Sequence, residues 1–329
     1  MDFSEPTASS PTPALRFNER TPSMRTIRLI SFPGGWNWPI WTAQARGFFT
    51  SEGLEITVTP TPSSEFQMSR FYAGEFDIAA TAFDNLVAYQ EGQGPVQIVR
   101  PDAFAFLGVS DGFLRFITLP EVGTFDELRG KDVSVDALNT GYAFVLRKLL
   151  ATRNIAAGDI NFVKVGGLRE RWQELLARRQ AGTMAMTPFD IMAKAHGLNV
   201  LADGTAALGA YQGTVLAARR SWAKDHEQDI VKFAGAYRRA VDWLYNPMNR
   251  NDAVDLFLAH APDMDRARAD ASYGVLLGPK GFFRDAKVSI EGAQAVLDLR
   301  SEYAEPTRKL SQPEQYIDHA YWKAASALA

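Results

Sequence analysis

One repeated pattern constrains the fold of this chain more than any other feature of its sequence. Residues 73–84 read AGEFDIAATAFD and residues 181–190 read AGTMAMTPFD, so each segment runs from Ala-Gly through a strand-like stretch to Phe-Asp. Both segments end where a predicted strand gives way to a predicted helix. Ligands of open α/β folds bind at this carboxyl edge of the sheet. The repeat therefore predicts two similar lobes, each presenting the same corner to a shared cleft.

Predicted strands and helices alternate around both copies of the pattern. The strands TIRLIS, EITVTP and FDIAATA are separated by amphipathic helices, and the strands KDVSVDAL, INFVKV and TMAMT are separated in the same way further along. This alternation predicts parallel sheets covered by helices, and hence an α/β fold. From residue 224 onward, apolar residues recur with helical spacing, which predicts a mostly helical final part of the chain.

The chain is longer than one typical domain, and the pattern divides it. Residues 1–24 are rich in Ser, Thr and Pro and are predicted to form a flexible tail. Residues 25–110 together with residues 217–329 are predicted to form lobe I, and residues 111–216 to form lobe II. The chain would then cross between the lobes at both ends of lobe II.

The composition excludes several classes of function. The formal net charge of −3 argues against a nucleic-acid surface, which is normally basic. Cysteine is absent and the four histidines are scattered without the spacing of metal ligands, so we expect no metal site, disulfide or thiol chemistry, and no cofactor. No apolar run approaches the ~20 residues that span a bilayer. The N-terminal segment lacks the positive charge and apolar core of a signal peptide.

Four segments carry a resemblance to a known family: AQARGFFTSEGLEITVTP, YAGEFDIAATAFDN, DELRGKDVSVD and NPMNRNDAVDLFLA, in this order. They resemble the solute-binding proteins of ABC importers in the nitrate, sulfonate and taurine group, which is also described as NMT1/THI5-like. The resemblance extends from about residue 26 to about residue 310, nearly the whole of the predicted folded part.

The resemblance implies a periplasmic-binding-protein type II fold, in which two α/β lobes joined by a two-strand hinge close over a small molecule. It also implies a monomer that hands its ligand to a membrane permease driven by ATP hydrolysis, and therefore a periplasmic location. Because no signal peptide or lipobox is recognisable, a cytoplasmic protein is the alternative. We therefore expect a binding protein for a sulfonate-like, aromatic or heteroaromatic molecule. The alternative is a cysteine-independent cytoplasmic enzyme of the lyase or decarboxylase type on the same fold.

The helix that follows SVDAL supplies the first candidate ligand site. Its start, Asn139, Thr140 and Gly141, offers side-chain caps and free backbone N–H groups, which favour an anion. Asn139 would equally serve as an ordinary helix cap. In the resembling family this loop contacts ligand oxygens, which favours a binding role.

The two Phe-Asp corners supply the next candidates. Phe83 and Phe189 are predicted to face the cleft, while Asp84 and Asp190 lie in the first turn of their helices, where the helix dipole favours a carboxylate. Capping alone would explain both aspartates. If they point inward, they would repel an anion and select a ligand with an amine or an N–H donor. Thr81 and Thr187, the first residues of the corners TAFD and TPFD, would donate a hydrogen bond to either kind of ligand.

The segment FPGGWNWPIW holds three of the seven tryptophans beside two glycines and two prolines, a composition that disfavours regular helix or strand. It follows the first strand, at the same rim as TAFD. Trp36 and Trp38 are therefore predicted to line or cover the cleft, where flat rings would select a planar or cationic ligand. Trp41 is predicted to pack in the core because it begins the next helix. Tyr142 and Tyr211 are further candidates for the wall.

An enzyme would need a nucleophile or a proton-transfer group in the cleft. GVSDG around Ser110 matches the G-x-S-x-G pattern of a nucleophile elbow, but FLRFITLP after it is predicted to be a strand, so a hinge turn is the better interpretation. A lyase or decarboxylase that uses Asp84, Asp190 or a tyrosine is the alternative. We predict no catalytic residue and the following ligand-binding residues: Trp36, Trp38, Thr81, Phe83, Asp84, Asn139, Thr140, Gly141, Tyr142, Thr187, Phe189, Asp190 and Tyr211.

Overall fold

The chain folds into two five-stranded sheets with helices packed against them. A computed structural model describes residues 24–205 and 207–327, so the predicted tail lies outside the described residues except for Met24. The strands of the first sheet are β1 (Arg25–Ser31), β2 (Leu54–Pro60), β3 (Ile78–Ala82), β4 (Ala103–Gly108) and β10 (Thr214–Arg219). Their order across the sheet is β2-β1-β3-β10-β4.

The second sheet repeats this plan. Its strands are β5 (Leu114–Thr118), β6 (Asp132–Val135), β7 (Asn161–Lys164), β8 (Gly182–Met186) and β9 (Asn199–Asp203), in the order β7-β6-β8-β5-β9. In each sheet the first three strands of that order run parallel, and the fourth runs antiparallel to both of its neighbours. The predicted α/β fold with two similar lobes is confirmed.

The prediction of purely parallel sheets is wrong, because each sheet contains one antiparallel strand. These strands, β10 and β5, are the ones through which the chain enters a sheet from the other lobe. Thr214 of β10 pairs with Ala82, and Leu114 of β5 pairs with Met186, at equivalent places in the two sheets. In the part of the chain described, no helix separates either strand from the preceding strand, which lies in the other sheet.

Helices cover both sheets. Those in the first part of the chain are α1 (Trp38–Ala45), α2 (Phe48–Ser51), α3 (Ser64–Tyr72) and α4 (Phe83–Gln90). Those among the strands of the second sheet are α5 (Gly141–Ala151), α6 (Leu168–Leu176) and α7 (Phe189–Ala195). The predicted helical final part contains α8 (Arg220–Ala223), α9 (Glu227–Tyr245), α10 (Arg250–His260), α11 (Arg266–Leu276), α12 (Ile290–Tyr303) and α13 (His319–Ser326). Helix α9 packs on α1 and α2, whereas α12 packs on both α4 and α5 and so contacts both lobes.

The tryptophan-rich segment FPGGWNWPIW is more regular than its composition predicts. Residues Gly35–Asn37 form one 3-10 turn, and α1 begins directly afterwards at Trp38. Pro39 lies in the first turn of α1, where a backbone N–H has no partner within the helix and its loss costs little. The expectation of irregular backbone therefore fails for the second half of the segment.

Two chain segments cross between the sheets side by side. The N–H of Gly213 donates to the carbonyl of Ser110 at 3.0 Å, and the N–H of Gly112 donates to Ser110 Oγ at 3.1 Å. The backbones touch so closely that a Cβ atom on Gly213 would lie 2.3 Å from the nitrogen of Gly112. Since β5 follows Ser110 where a nucleophile elbow requires a helix, GVSDG forms a turn at the crossing.

The strand pairing of Thr214 indicates where lobe II ends. Thr214 already pairs within the first sheet, three residues before the predicted start of the second part of lobe I. We therefore propose that lobe II comprises residues 111–213, and that the chain belongs to lobe I from residue 214 onward.

Candidate functional site

A cavity of about 640 Å³ lies between the two sheets, within the roughly 300–1,000 Å³ range of small-molecule sites. Its walls are formed by segments at the carboxyl ends of parallel strands in both sheets. In the first sheet these segments begin at Phe32, Pro60 and Ala80, and in the second sheet they begin at Asp136, Gly167 and Met186. The cleft between the lobes thus lies at the edge that the repeated pattern predicts.

The cavity brings together part of the predicted site. The predicted residues that line it are Trp36, Thr81, Asp84, Thr140, Gly141, Tyr142 and Phe189. The predicted residues outside its lining are Trp38, Phe83, Asn139, Thr187, Asp190 and Tyr211.

The structure places Trp38 in the core and Trp41 in the cavity wall. Trp38 is 0% exposed and packs against the rings of Phe257 and Tyr273, with centroid distances of 4.6 and 5.8 Å, so its placement in the cleft wall is wrong. Trp41 lines the cavity and stacks on His260, with centroids 4.2 Å apart and an interplanar angle of 6°. Trp41 also packs against the core, as predicted, so it contributes to both the core and the cavity wall. Trp38 is buried because α1 begins at this residue, which faces the helices α10 and α11.

Trp36 occupies the predicted wall. It is 6% exposed and lines the cavity, and its indole N–H donates to the carbonyl of Phe32 at 3.1 Å. Phe189 lines the opposite side and packs on Trp172, with ring centroids 5.6 Å apart. The cavity therefore has aromatic side chains on both lobes.

The corner TAFD turns its aspartate, and not its phenylalanine, toward the cavity. Phe83 is buried with its ring edge-to-face against Tyr316, at a centroid distance of 6.2 Å, so its predicted place in the cleft is wrong. Asp84 Oδ2 accepts a hydrogen bond from the N–H of Gly141 at 2.7 Å, and Asp84 Oδ1 accepts one from Arg300 Nη1 at 2.7 Å. The carboxylate thus links α4 of lobe I to the start of α5 of lobe II.

The corner TPFD is arranged in the opposite way. Its Phe189 lines the cavity, whereas Thr187 and Asp190 are buried outside the lining, which contradicts their predicted exposure to the cleft. Thr187 Oγ1 and Asp190 Oδ1 have no hydrogen-bond partner among the described residues. The repeat therefore conserves the strand-to-helix geometry but not the direction of its side chains.

The residues at the start of α5 have two different surroundings: some line the cavity, and Asn139 contacts lobe I. Thr140 Oγ1 donates to Asp136 Oδ1 at 2.7 Å, beside the cavity. Asn139 instead contacts lobe I outside the cavity, since its Nδ2 donates to the carbonyls of Gln93 and Glu305 at 2.7 and 3.1 Å. Asn139 is therefore a lobe contact and does not line the cavity as predicted.

The two candidate tyrosines separate in the same way. Tyr142 lines the cavity, and its hydroxyl lies beside Gly112 at the crossing. Tyr211 is buried outside the lining, in contrast to the prediction. Burial raises the pKa of both phenols well above the ordinary value, so both are uncharged at neutral pH.

The charged cavity residues that the sequence analysis missed include Asp136 and Arg171. Asp136 follows β6 directly, and burial raises the pKa of its carboxyl group. Arg171 lies in α6, where burial lowers the pKa of its guanidinium. Arg171 Nη1 donates to Thr183 Oγ1 at 3.0 Å and Nε donates to the carbonyl of Gly166 at 3.1 Å. The signal available in the sequence was an acidic residue near the carboxyl end of the predicted strand KDVSVDAL, which the structure ends at Val135.

Within the residues that the structure describes, no group of acidic or histidine side chains is arranged to hold a metal ion. The described helices also include none that is both long and apolar enough to cross a bilayer.

The chain is similar to known proteins in sequence and in architecture. The family model described as NMT1/THI5 like matches residues 37–249. A search of curated protein sequences found no match.

Solved structures share the fold. A protein from Bordetella bronchiseptica RB50 superposes with a TM-score of 0.78 at 18% identity, covering 92% of this chain and 97% of the other. The periplasmic nitrate-binding protein NrtA from Synechocystis PCC 6803 gives a TM-score of 0.74 at 12% identity, covering 93% and 89%. The alkanesulfonate-binding protein SsuA from Xanthomonas axonopodis pv. citri, bound to MOPS, gives 0.68 at 15% identity, covering 91% and 97%. At these identities the likeness establishes the fold.

Proposed function

Because the chain belongs to the NMT1/THI5-like family, we propose that it is a solute-binding protein that encloses a small organic molecule between its two lobes. The observation that carries this proposal is the cavity of about 640 Å³ at the carboxyl ends of strands in both sheets. Since each lobe supplies part of the wall, a ligand that bridges the lobes stabilises their closed arrangement. Binding without a reaction is the function that this geometry supports best.

The proposed ligand has a flat aromatic or heteroaromatic ring and one polar end. Rings on both lobes support the flat part: Trp36 and Trp41 line the cavity from lobe I, and Trp172 and Phe189 line it from lobe II. Aromatic pairs contribute about 0.5–1.5 kcal/mol each beyond the burial of their area. Asp136 and its neighbours at the start of α5 offer hydrogen bonds to the polar end.

The proposed partner of the loaded protein is a membrane permease driven by ATP hydrolysis, and the proposed site of action is the periplasm. Family membership supports both, and NrtA and SsuA, whose names describe binding of nitrate and alkanesulfonates, share the fold. We further propose that the protein is a monomer, which light scattering after gel filtration would measure.

A thermal-shift screen tests the binding function. The panel contains aromatic amines, heteroaromatic bases, aromatic acids, sulfonates and nitrate. A ligand present at ~100 times its dissociation constant adds about 2.7 kcal/mol to stability, which raises the melting temperature by a few degrees in a chain of this size. A panel that leaves the melting temperature unchanged would contradict the proposal.

Mass spectrometry of each hit distinguishes binding from catalysis. After incubation with the protein, we expect the compound to be recovered unchanged. A product that forms only in the presence of the protein would instead support the lyase or decarboxylase alternative, with Asp136 as the first residue to replace.

A further inference from the structure

We infer that Asp84 determines the charge class of the ligand, because its carboxylate occupies the position at the start of α5 that an anionic ligand would otherwise take. The inference rests on the proposed binding function and deepens it. It assigns to the cavity a neutral N–H donor or a cation, such as an aromatic amine or amidine, and excludes nitrate, sulfate and sulfonates.

The first step is the geometry at the start of α5. This helix has 11 residues, and the N-terminus of such a helix favours an anion through its free N–H groups and its dipole. Asp84 Oδ2 already accepts a hydrogen bond from Gly141 N–H at 2.7 Å. A Cβ atom on Gly141 would lie 2.5 Å from Asp84 Cγ, so a residue other than glycine would block this approach.

The second step is the buried guanidinium of Arg300. Its Nη1 donates to Asp84 Oδ1 at 2.7 Å and its Nε donates to Gln93 Oε1 at 2.8 Å, with the Arg300 and Asp84 side chains only 0% and 2% exposed. The N-terminus of α5 and the Arg300 guanidinium are thus both bonded to a carboxylate of the protein itself. A ligand anion at this place would find both of these donors already occupied.

The third step is the neighbouring wall, which adds a second carboxylate. Asp136 lines the cavity one turn before α5 and receives only the hydroxyl of Thr140 among the side chains described. Arg171 lines the same wall, where its Nε and Nη1 bond to protein oxygens on Gly166 and Thr183 and its charge acts on Asp136. Beside the start of α5, the wall therefore offers the carboxylate oxygens of Asp136 as acceptors to the ligand.

The inference is tested by anion rescue of a variant. Asp84→Ala removes the carboxylate and leaves the Gly141 N–H and Arg300 without it, so we expect a lower melting temperature. Formate or acetate, compared with chloride at equal ionic strength, should then raise it by several degrees, because the small carboxylate rebinds at the vacated position. Asp84→Asn keeps the volume of the side chain, leaves no room for formate, and should show no rescue.

Asp77→Ala is the matched control. Asp77 is also a buried carboxylate paired with an arginine, at 2.6 Å from Arg28, but Arg28 is half exposed and water can replace the partner. An equal formate effect in Asp84→Ala and Asp77→Ala would overturn the inference. So would an Asp84→Ala variant that stays unfolded in formate while Asp84→Asn folds.

A direct comparison of ligands completes the test. Calorimetric titration of the unmodified protein with nitrate, sulfate and methanesulfonate should give no binding in the cavity, and micromolar binding of any of them would refute the role of Asp84. The rescue experiment uses no cavity ligand. Its failure therefore refutes the inference about Asp84 alone, while a screen without hits refutes the binding function alone.

Discussion

Trp36 and Trp38 lie two positions apart but belong to different environments. Trp36 lines the cavity, whereas Trp38 is enclosed by α1, α10 and α11. A substitution at one position should therefore change ligand binding, and at the other the stability of the fold.

We predict that Trp36→Ala lowers the affinity for a ligand identified in the screen about tenfold, or about 1.4 kcal/mol, because one ring of the wall is lost. Trp38→Ala should lower the free energy of unfolding by about 3–5 kcal/mol, as is typical of a large core side chain. Calorimetric titration and urea unfolding measure the two effects. Trp222→Ala, at a half-buried position outside the cavity lining, is the control for affinity. Equal affinities of the Trp36→Ala and Trp222→Ala variants would contradict the assignment of the wall.

Asp136 gives a prediction about pH. Burial raises the pKa of its carboxyl group above that of an unfolded aspartate, near 3.9, so the folded chain holds the proton more tightly. This contribution to stability is complete below pH 3.9 and is lost as the pH rises toward the folded-state pKa. Asp136→Asn cannot lose a proton, so its stability relative to the unmodified protein should increase from about pH 4 upward. Urea unfolding across this range measures it, and parallel curves would contradict the prediction.

At the residue scale, the burial of Arg171 could not be predicted from the sequence. The sequence RERWQELLARR is typical of an amphipathic helix with a solvated basic face, and a charged side chain such as that of Arg171 normally faces water. Arg171 is buried because Thr183 and the carbonyls of Gly166 and Met184 accept its hydrogen bonds. These acceptors lie outside α6, so the spacing of residues within the helix does not predict them.

At the scale of elements, the strands and helices that repeat around both Phe-Asp corners could be predicted from periodicity. The antiparallel strands could not, because their direction depends on which sheet they enter. Strand β10 also reads much like the parallel strands, and only its pairing with Ala82 at Thr214 shows its orientation. The side-chain direction of Phe83 escaped prediction for a similar reason, since it packs against Tyr316 from a distant part of the chain.

The crossing segments give a prediction at this scale. Gly213→Ala would place a Cβ atom 2.3 Å from the nitrogen of Gly112, so the two backbones would have to separate. We expect a loss of about 1–3 kcal/mol in the free energy of unfolding, the usual cost of overpacking. Gly235→Ala is the matched control, because its Cβ atom in α9 would meet no heavy atom within 4 Å. That variant should gain up to about 1 kcal/mol from helix propensity, and urea unfolding of both proteins measures the contrast.

At the scale of the whole molecule, the two lobes differ in how the chain builds them. All strands of the second sheet come from one continuous stretch, β5 to β9, while the first sheet needs β10 from beyond that stretch. We predict that residues 111–213, expressed alone, unfold cooperatively in urea as a separate domain. Residues 25–110 alone should lack a cooperative transition, because the strand that lies between β3 and β4 is missing. Circular dichroism during urea titration measures both, and an unfolded 111–213 fragment would contradict the prediction.

The placement of β10 between β3 and β4 also dictates an order of events on the ribosome. Strand β4 has no partner within the first sheet, as described, except β10, so it must wait unpaired while more than a hundred further residues are synthesised. The second sheet can be complete before Thr214 leaves the exit tunnel. A nascent chain of this protein therefore carries an apolar strand, AFAFLG, that needs shielding until Arg219 has left the exit tunnel.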